Sequence, residues 1–487
     1  MIVSAILYGS CQLKVDSGSK KPHILFIAVD DLRPMLGCYG VEDVKSPGID
    51  KLADQGIMFL NAFSQQAWCS PSRTSLLTGL RPDKTRVYDL VTNFRDATPN
   101  AITLPQFFKS NGYKTLAFGK IFHSNMDDTV SWSIPTWEPK VIDPLKHYVL
   151  SENIEAAKNR NGYATPYERA NVLDDDYPDG QITAKAIEAL EGMDGRPFFL
   201  AVGYYKPHLP FNAPAKYWEM YDDDNIDLPQ NTARPIGSPE YAFLTRSEHH
   251  NYLGVPPLPS GTPLPDSLTR KLIHGYMACV SYVDAQVARL LQALEDRGEL
   301  EHTIVVLWGD HGWKLGEYGS WSKHTNYDVD TKVPLIIKPS GKVFVNAKVK
   351  SIVELLDVYP TLVSLAGFEI PDTIEGKSLL SLIESGGNEE NVAFSQFIRN
   401  QERNYTTYKD AEVIGQTVRT DQFRFIRWID KKSPTTILAT ELYDLRKGEY
   451  EMINEALNEA YSEKIRALSE LLDKNFHPEE FQGESFD

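Results

Sequence analysis

The sequence predicts an α/β protein: a large mixed, mostly parallel sheet with helices on both faces, and a smaller C-terminal α+β subdomain. Three observations support this fold class. Apolar, β-branched runs end abruptly in polar residues, amphipathic helical patterns lie between those runs, and the alternation fades after about residue 367. A chain of 487 residues is long enough for one large α/β domain with a smaller second domain.

Three segments are predicted to be buried parallel strands, because each is a nearly continuous apolar run without alternation. They are HILFIAV at 23–29, FFLAVG at 198–203 and TIVVLW at 303–308. Charged or histidine residues follow each run closely. Since ligands bind beyond the carboxyl ends of the strands in such sheets, we expect a site at that edge.

Helices are predicted where apolar residues recur at helical spacing, most clearly at 182–190 and 269–294. From about residue 391 the pattern changes to short strands (VAFSQF, GQTVRT, FRFIRW and ATELYDL), followed by a helix at about 458–475. We therefore expect an α/β domain carrying the site at 21–385 and the α+β subdomain at 386–487.

The composition indicates a globular protein, with 42% hydrophobic residues and a formal net charge of -17. The negative charge argues against nucleic-acid binding, which requires basic surfaces. The four cysteines are widely separated and lack metal-ligand spacing, so they favour neither a disulfide framework nor a zinc site. No apolar run reaches the roughly 20 residues of a transmembrane helix.

Residues 1–20 are interpreted as the remnant of a signal segment followed by a tether. The segment 2–7 is apolar, and Tyr8-Gly9-Ser10 before Cys11 resembles a loose lipoprotein cleavage box, although a basic segment before it is missing. Cys11 is thus a candidate for lipid attachment, and that lipid would be the protein's contact with a membrane. A periplasmic or cell-surface location is expected.

The sharpest local feature is Cys69-Ser70-Pro71-Ser72-Arg73, followed by Thr74 to Thr78 and then Gly79. Pro71 fits a first helical turn and Gly79 fits a C-terminal cap, so a short helix is predicted between them. Cys69 would then lie at the helix N-terminus, an anion-binding position, with Arg73 one turn further on. Taken alone, a buried cysteine beside a structural arginine would explain the same residues.

Asp30, Asp31 and Asp310 follow two of the predicted strands. Taken alone, Asp30-Asp31 would be a solvated turn, but three carboxylates at one edge suit a hard cation such as Ca²⁺ or Mg²⁺. Further candidates near strand ends or in the following loops would supply cations for an anion and protons for a leaving alcohol: Lys120, His123, His208 and Lys323.

The C-x-P-x-R pattern at Cys69 resembles the signature of the sulfatase family in the alkaline-phosphatase superfamily. The resemblance covers nearly the whole chain, through VDDLRPMLGCYG, CSPSRTSLLTGLRPD, GYKTLAFGKIFH, FFLAVGYYKPHLPF and GDHGWKLGEYGSWSKHTNYD. The Asp310-His311 pair is similar to the iduronate-2-sulfatase subgroup, since many sulfatases carry Asp-Asn there. Loops look shorter here than in that subgroup, which leaves the rim of the pocket undefined.

The resemblance implies that Cys69 is oxidised to Cα-formylglycine by a formylglycine-generating enzyme. It implies one calcium ion held by Asp30, Asp31, residue 69, Asp310 and His311. It further implies that the sulfate is surrounded by Arg73, Lys120, His123, His208 and Lys323.

By the same resemblance, the expected substrate is a sulfated oligosaccharide: a 2-O-sulfated hexuronate, saturated or unsaturated, at the non-reducing end of a glycosaminoglycan such as heparin or chondroitin sulfate. A uronate carboxylate needs cations beyond those holding sulfate; Lys206, Lys314 and His324 are spare donors, and Trp313 and Trp321 are expected walls. A glucosamine 6-O-sulfatase, a phosphoesterase of the same superfamily and a non-catalytic binder of sulfated glycans remain alternatives.

Overall fold

The computed structural model describes residues 20–476, except 124, 142, 144, 342–346, 388, 401 and 449. Residues 1–19 of the predicted signal remnant and tether at 1–20, with Cys11, lie outside the described residues. Fifteen strands are formed in the described part: β1 His23–Val29, β2 Ile57–Phe63, β3 Lys114–Gly119, β4 Tyr167–Ala170, β5 Phe198–Tyr204, β6 Phe211–Pro214, β7 Thr303–Gly309, β8 Lys314–Leu315, β9 Trp321–Ser322, β10 Lys332–Lys338, β11 Ala347–Glu354, β12 Ala393–Arg399, β13 Val413–Arg419, β14 Phe423–Asp430 and β15 Ile437–Asp444.

Thirteen α-helices accompany these strands in the same described ranges. They are α1 Pro47–Gln55, α2 Cys69–Thr78, α3 Pro82–Thr85, α4 Phe94–Ala97, α5 Leu104–Ser110, α6 Ser151–Lys158, α7 Pro178–Glu191, α8 Ala215–Trp218, α9 Asp266–Asp296, α10 Asp328–Thr331, α11 Val358–Leu365, α12 Leu380–Ser385 and α13 Ser462–Asn475. Within the described residues, no helix is both long and apolar enough to cross a bilayer.

The main sheet has seven strands in the order β11-β2-β10-β7-β1-β5-β3. Only β10 runs against its neighbours; the other described pairings in this sheet are parallel. The predicted fold class is therefore confirmed, and the three predicted strands appear as β1, β5 and β7. The parallel strands β7, β1, β5 and β3 are adjacent, so their carboxyl ends meet at one edge.

Alternating side chains of the central strands face two apolar layers. Leu25, Ile27 and Val29 pack into a cluster with residues of α7 and α9, while Ile24 and Phe26 pack with residues of α2, α5 and α11. Helices thus cover both faces of the sheet, as predicted. The long amphipathic pattern at 269–294 lies within α9, which extends it by a few residues at each end.

The C-terminal strands form a separate antiparallel sheet in the order β12-β13-β14-β15, and α13 follows it. Two hydrogen bonds connect β12 to the segment before α2. The Ser395 hydroxyl donates to the Ser64 backbone carbonyl over 2.6 Å, and the Gln396 backbone N–H donates to the Gln65 backbone carbonyl over 2.8 Å. This smaller sheet therefore supports the approach to Cys69.

Candidate active site

The carboxyl edge of the main sheet brings the predicted site residues together. Asp30 and Asp31 follow β1, Asp310 follows β7, and Lys120 follows β3. Each of these four side chains is at most 2% exposed. A cluster of this kind must be internally compensated, because an unpaired buried charge is costly.

Helix α2 places Cys69 at its first residue, as the sequence predicts. Gly79 has a φ of 68°, and its left-handed conformation ends the helix. All ten residues of α2 are buried, and no side chain caps its N-terminus. Burial and then Asp30 raise the pKa of the Cys69 thiol to about 12, so the side chain is a protonated, weakly nucleophilic thiol at neutral pH.

Arg73 joins the strand ends from the same helix. Its Nε atom donates to Asp310 Oδ2 over 2.8 Å and its Nη2 atom donates to Asp30 Oδ1 over 3.1 Å. Its Nη1 atom donates to the carbonyls of Lys120 and Ile121. The guanidinium is fully buried, and its fork fixes the relative positions of two carboxylates.

Two lysines add positive charge on either side of the cluster. Lys120 Nζ lies 2.6 Å from Asp30 Oδ2, and Lys323 Nζ lies 2.6 Å from Asp31 Oδ1 and 3.5 Å from Cys69 Sγ. Burial alone would raise the pKa of Asp30, but Lys120 and Arg73 hold it well below its usual range. Burial disfavours the charged ammonium of Lys323, yet Asp31 raises its pKa well above the usual range.

The orientation of His311 indicates what the centre of the cluster can hold. Its Nδ1 atom lies 3.0 Å from the Gly312 carbonyl oxygen and therefore carries the proton, which leaves a lone pair on Nε2. Nε2 lies 3.4 Å from Asp31 Oδ1, 3.7 Å from Asp310 Oδ1 and 3.3 Å from Cys69 Sγ. These electron-rich atoms converge on one point.

Such convergence fits a divalent cation. Asp31 Oδ2 is buried without a hydrogen-bond partner among the described residues. Burial raises the pKa of Asp31 well above its usual range, even though Lys323 opposes this. Three groupings of buried donor atoms lie close enough to hold an ion, drawn from Asp30, Asp31, Cys69, His208, Asp310 and His311. The predicted ligand set fits an oxygen-preferring ion, and His208 is an additional neighbour of it.

His208 lies beside this cluster, close to a residue that was not predicted from the sequence, Glu248. Its Nδ1 atom lies 2.6 Å from the Leu209 carbonyl, so Nε2 is the nitrogen that faces the site. Nε2 is 3.7 Å from both Asp31 Oδ2 and Glu248 Oε2. Glu248 is the first residue of a short 3-10 helix, Glu248–Asn251, and its only sequence signal is the polar run Glu248-His249-His250.

His123 is the least connected of the predicted residues. Its Nδ1 atom is buried and has no hydrogen-bond partner in the described part of the chain. Burial and then the charge of Lys120 lower the pKa of His123 to about 3, so its imidazole is neutral. A neutral imidazole at this position can accept a proton.

Asp179, at the start of α7, is a second residue that sequence reasoning missed. Its carboxylate accepts backbone N–H bonds from Tyr205 and Lys206 over 2.8 and 2.9 Å. These bonds hold the segment that leads from β5 to His208. The sequence signal for this role is only an acidic residue in a first helical turn, which many helices share.

Several residues of the site adopt backbone conformations that are rare for side-chain-bearing residues. Asp31, Ser322 and His324 have φ values of 59°, 69° and 86°. Left-handed conformations of non-glycine residues cost about 1–2 kcal/mol each and persist where the surroundings enforce them. Ser322 and His324 flank Lys323, so this backbone presents the lysine to Cys69.

Comparison with known proteins identifies the family. The sulfatase family model matches residues 22–368. The chain belongs to the sulfatase family. A second model, the C-terminal region of N-sulphoglucosamine sulphohydrolase, matches residues 316–477. This sulfatase is 36% identical to human iduronate 2-sulfatase over 90% of each chain.

Solved structures share the fold of this sulfatase. BT4656 in complex with its substrate D-glucosamine-2-N,6-O-disulfate matches with a TM-score of 0.74 at 23% identity, over 95% of this chain and 98% of that one. The phosphonate monoester hydrolase SpPMH from Silicibacter pomeroyi matches with a TM-score of 0.75 at 22% identity, over 93% and 95%. Family membership makes the protein a sulfuric ester hydrolase.

Proposed function

We propose that this sulfatase uses formylglycine at position 69 and one bound Ca²⁺ to hydrolyse 2-O-sulfate esters of glycosaminoglycan oligosaccharides. The observation that carries the proposal is the position of Cys69, at an uncapped helix N-terminus between Lys323, His311 and the carboxylate cluster. A thiol whose pKa is about 12 is poorly suited to attack. The C-x-P-x-R pattern supplies the alternative, an aldehyde made from this cysteine.

When present, the hydrated aldehyde would supply an oxygen nucleophile, and the calcium ion would polarise sulfate oxygens. Asp30, Asp31, Asp310 and His311 would hold the ion together with residue 69. Arg73, Lys120 and Lys323 would bind the negatively charged oxygens of the ester. Because His208 Nδ1 faces the Leu209 carbonyl, only the protonated imidazole would give a proton from Nε2 to the leaving alcohol. Burial and then Lys323 lower the pKa of His208 well below its usual range, whereas Asp30 and the nearby carboxylate of Glu248 favour the protonated form. Neutral His123 would accept a proton.

The charges of the site support a dianionic substrate. Three buried carboxylates, from Asp30, Asp31 and Asp310, are balanced by the three cations Arg73, Lys120 and Lys323. A bound Ca²⁺ would add two positive charges to this neutral cluster. A uronate carrying one sulfate ester has two negative charges, whereas glucosamine 6-sulfate has one negative charge on its ester.

We infer the substrate class from the similarity to iduronate 2-sulfatase. Iduronate 2-sulfatase at 36% identity favours a 2-O-sulfated hexuronate, saturated or unsaturated, at the non-reducing end of the oligosaccharide. Trp313 packs against Lys323, whose ammonium lies 5.2 Å from the ring centroid, and a site enclosed in this way favours a chain end over a chain interior. Glucosamine 6-O-sulfatase activity is the second candidate, because BT4656 binds a 6-O-sulfated glucosamine in the same fold.

The cellular setting completes the proposal. We infer a periplasmic or cell-surface location, with a formylglycine-generating enzyme as a partner during maturation. Lipid attachment at Cys11 would be the contact with a membrane. A phosphoesterase remains the alternative, because the phosphonate monoester hydrolase has the same fold. The assay should therefore compare each sulfate ester with the corresponding phosphate ester.

The test begins with the mass of the tryptic peptide spanning residues 52–73. Conversion of Cys69 to formylglycine lowers the mass by about 18 Da and prevents alkylation by iodoacetamide. Sulfate release is then measured on uronate 2-sulfate and glucosamine 6-sulfate disaccharides. Cys69→Ala should abolish turnover, while Cys38→Ala, which removes another thiol, should retain it. Full activity in Cys69→Ala would refute the mechanism; turnover of only the glucosamine substrate would refute the substrate.

A further inference from the structure

Three side chains near the site were expected as spare donors for a second anionic group, and the structure shows that Lys206 is already engaged. Its ammonium donates to the carbonyls of Leu145, His208 and Pro210 over 3.0, 3.1 and 2.7 Å. These contacts use all three N–H groups. Lys206 therefore stabilises the segment that carries His208 and has no donor left for a substrate.

Lys314 is engaged as well. Its ammonium forms an ion pair with buried Asp330 and donates to the Lys323 carbonyl over 3.2 Å. Asp330 in turn accepts from the backbone and hydroxyl of Thr325. Lys314 thus organises the loop around Lys323, and the expectation that it is a spare cation is wrong.

His324 differs from both lysines. It is 1% exposed, and neither ring nitrogen has a hydrogen-bond partner among the described residues. A buried polar group without a partner is costly, because it has lost its hydrogen bonds to water. Its left-handed backbone adds to this cost, and its carbonyl is held in place by Arg399 Nη2. The backbone of His324 is therefore held in place, although its imidazole forms no hydrogen bond within the described part of the protein.

The surroundings of the ring indicate what it would bind. Trp68, Phe397 and Tyr405 contact it edge-on, with ring centroids 5.5, 5.7 and 4.8 Å away. Trp68 precedes Cys69, and Tyr405 is 41% exposed, so this aromatic wall extends from the nucleophile position to solvent. His324 is thus part of the wall that runs from residue 69 towards solvent, the direction in which the rest of a substrate would extend.

The electrostatic environment favours an anion. Burial is the main cause of the strongly lowered pKa of His324, followed by the charges of Lys323, Lys314 and Arg399. The imidazole is accordingly neutral, with one N–H donor. The two lysines are already in ion pairs, whereas the guanidinium of Arg399 donates to backbone carbonyls. A carboxylate would satisfy the imidazole donor and be attracted by Arg399.

We propose that His324 is a specificity-determining residue whose ring N–H donates to the carboxylate that a hexuronate carries beside its sulfate. This inference rests on the proposed function. It assigns recognition of the carboxylate to the residue next to Lys323, so that consecutive side chains bind the two anionic groups of one sugar. The second ring nitrogen would accept from a hydroxyl of the same sugar.

The experiment uses two matched substrates: an unsaturated uronate 2-sulfate disaccharide and the same compound with its carboxyl reduced to an alcohol. The measured quantity is the ratio of kcat/KM for the carboxylate substrate to that for the reduced one. His324→Phe keeps an aromatic ring in the wall and removes the donor, so the ratio should fall at least tenfold. His324→Asn and His324→Gln keep an N–H near the positions of Nδ1 and Nε2, and one of them should restore part of the ratio.

A wild-type ratio in His324→Phe would overturn the inference and leave a purely structural role. A thermal unfolding scan checks that the variants fold; if the Phe variant does not, an unchanged ratio in both amide variants and in His324→Ala has the same meaning. Failure of the proposed function gives a different result. In that case the wild-type enzyme itself would hydrolyse neither uronate compound while releasing sulfate from glucosamine 6-sulfate or an aryl sulfate.

Discussion

Lys323 Nζ lies 2.6 Å from Asp31 Oδ1 and only 3.5 Å from Cys69 Sγ. One buried ammonium therefore contacts both a predicted calcium ligand and the residue predicted to become the nucleophile. Because Ser322 and His324 on either side of the lysine are left-handed, its position depends on the whole loop. The proposed binding of an ion and of an ester would therefore both depend on the conformation of this loop.

Calcium should stabilise the fold as well as support activity. Protein dialysed against EDTA should gain thermal stability on addition of Ca²⁺, since an ion bound only by the folded state contributes about 2.7 kcal/mol at 100 times its Kd. Asp31→Asn should abolish the shift, whereas Asp194→Asn, at an exposed ion pair, should retain it. Identical melting curves with and without Ca²⁺ in the wild type would argue against the ion site.

Arg73→Lys should be severely impaired although it preserves the charge. An ammonium cannot reproduce the fork that donates to Asp30, Asp310 and two carbonyls. We expect kcat to fall by about 10² or more and the melting temperature to decrease. Arg196→Lys, at an exposed pair with Asp194, is the matched control and should behave like the wild type. Near-normal kcat in Arg73→Lys would show that the fork is dispensable.

Glu248→Gln should affect substrates with poor leaving groups most. A carboxylate 3.7 Å from His208 Nε2 favours the protonated imidazole, which a sugar alcohol needs as proton source and a nitrophenol does not. We expect kcat on the sugar sulfate to fall about tenfold more than kcat on the aryl sulfate. Glu219→Gln, at an exposed ion pair, is the control. Equal losses on both substrates would indicate that Glu248 has a different role.

Asp284 should make stability decline with rising pH. Its carboxyl accepts the N–H groups of Gly48 and Ile49, yet burial raises its pKa from 3.8 to about 7. The folded state thus binds a proton that the unfolded state has released, so stability present below pH 4 is lost as pH rises to about 7. The loss should amount to roughly 4 kcal/mol at most. Urea unfolding of Asp284→Asn should lack this component; parallel pH profiles for both proteins would contradict the assignment.

The parts of the site that could be predicted from sequence are those encoded locally. Asp30, Asp31 and Asp310 follow apolar runs directly, and parallel strands place such residues at one edge. Cys69 and Arg73 share one short helix whose start and end are marked by Pro71 and Gly79. The alternation of strands and helices predicts the parallel direction that brings these strand ends to one edge, whereas the strand order itself is known only from the structure.

Other features depend on contacts that no local pattern carries. Glu248 reaches His208 from a short 3-10 helix, and Asp179 holds the loop before His208 from the first turn of α7. The direction of β10 is not encoded in its apolar run, since buried strands of either direction look alike. Whether Lys206 and Lys314 are spare or engaged depends on carbonyl and carboxylate positions, which only the folded chain defines.

The burial of α2 has a consequence for the proposed maturation of Cys69. Every residue from Cys69 to Thr78 lies inside the protein, and β12 closes over the segment that precedes it. The proposed maturation enzyme would need access to Cys69, so it would have to act before the chain folds. The fraction of active molecules would then be set during synthesis, and a chain that folded with an unmodified cysteine would be well formed and inert.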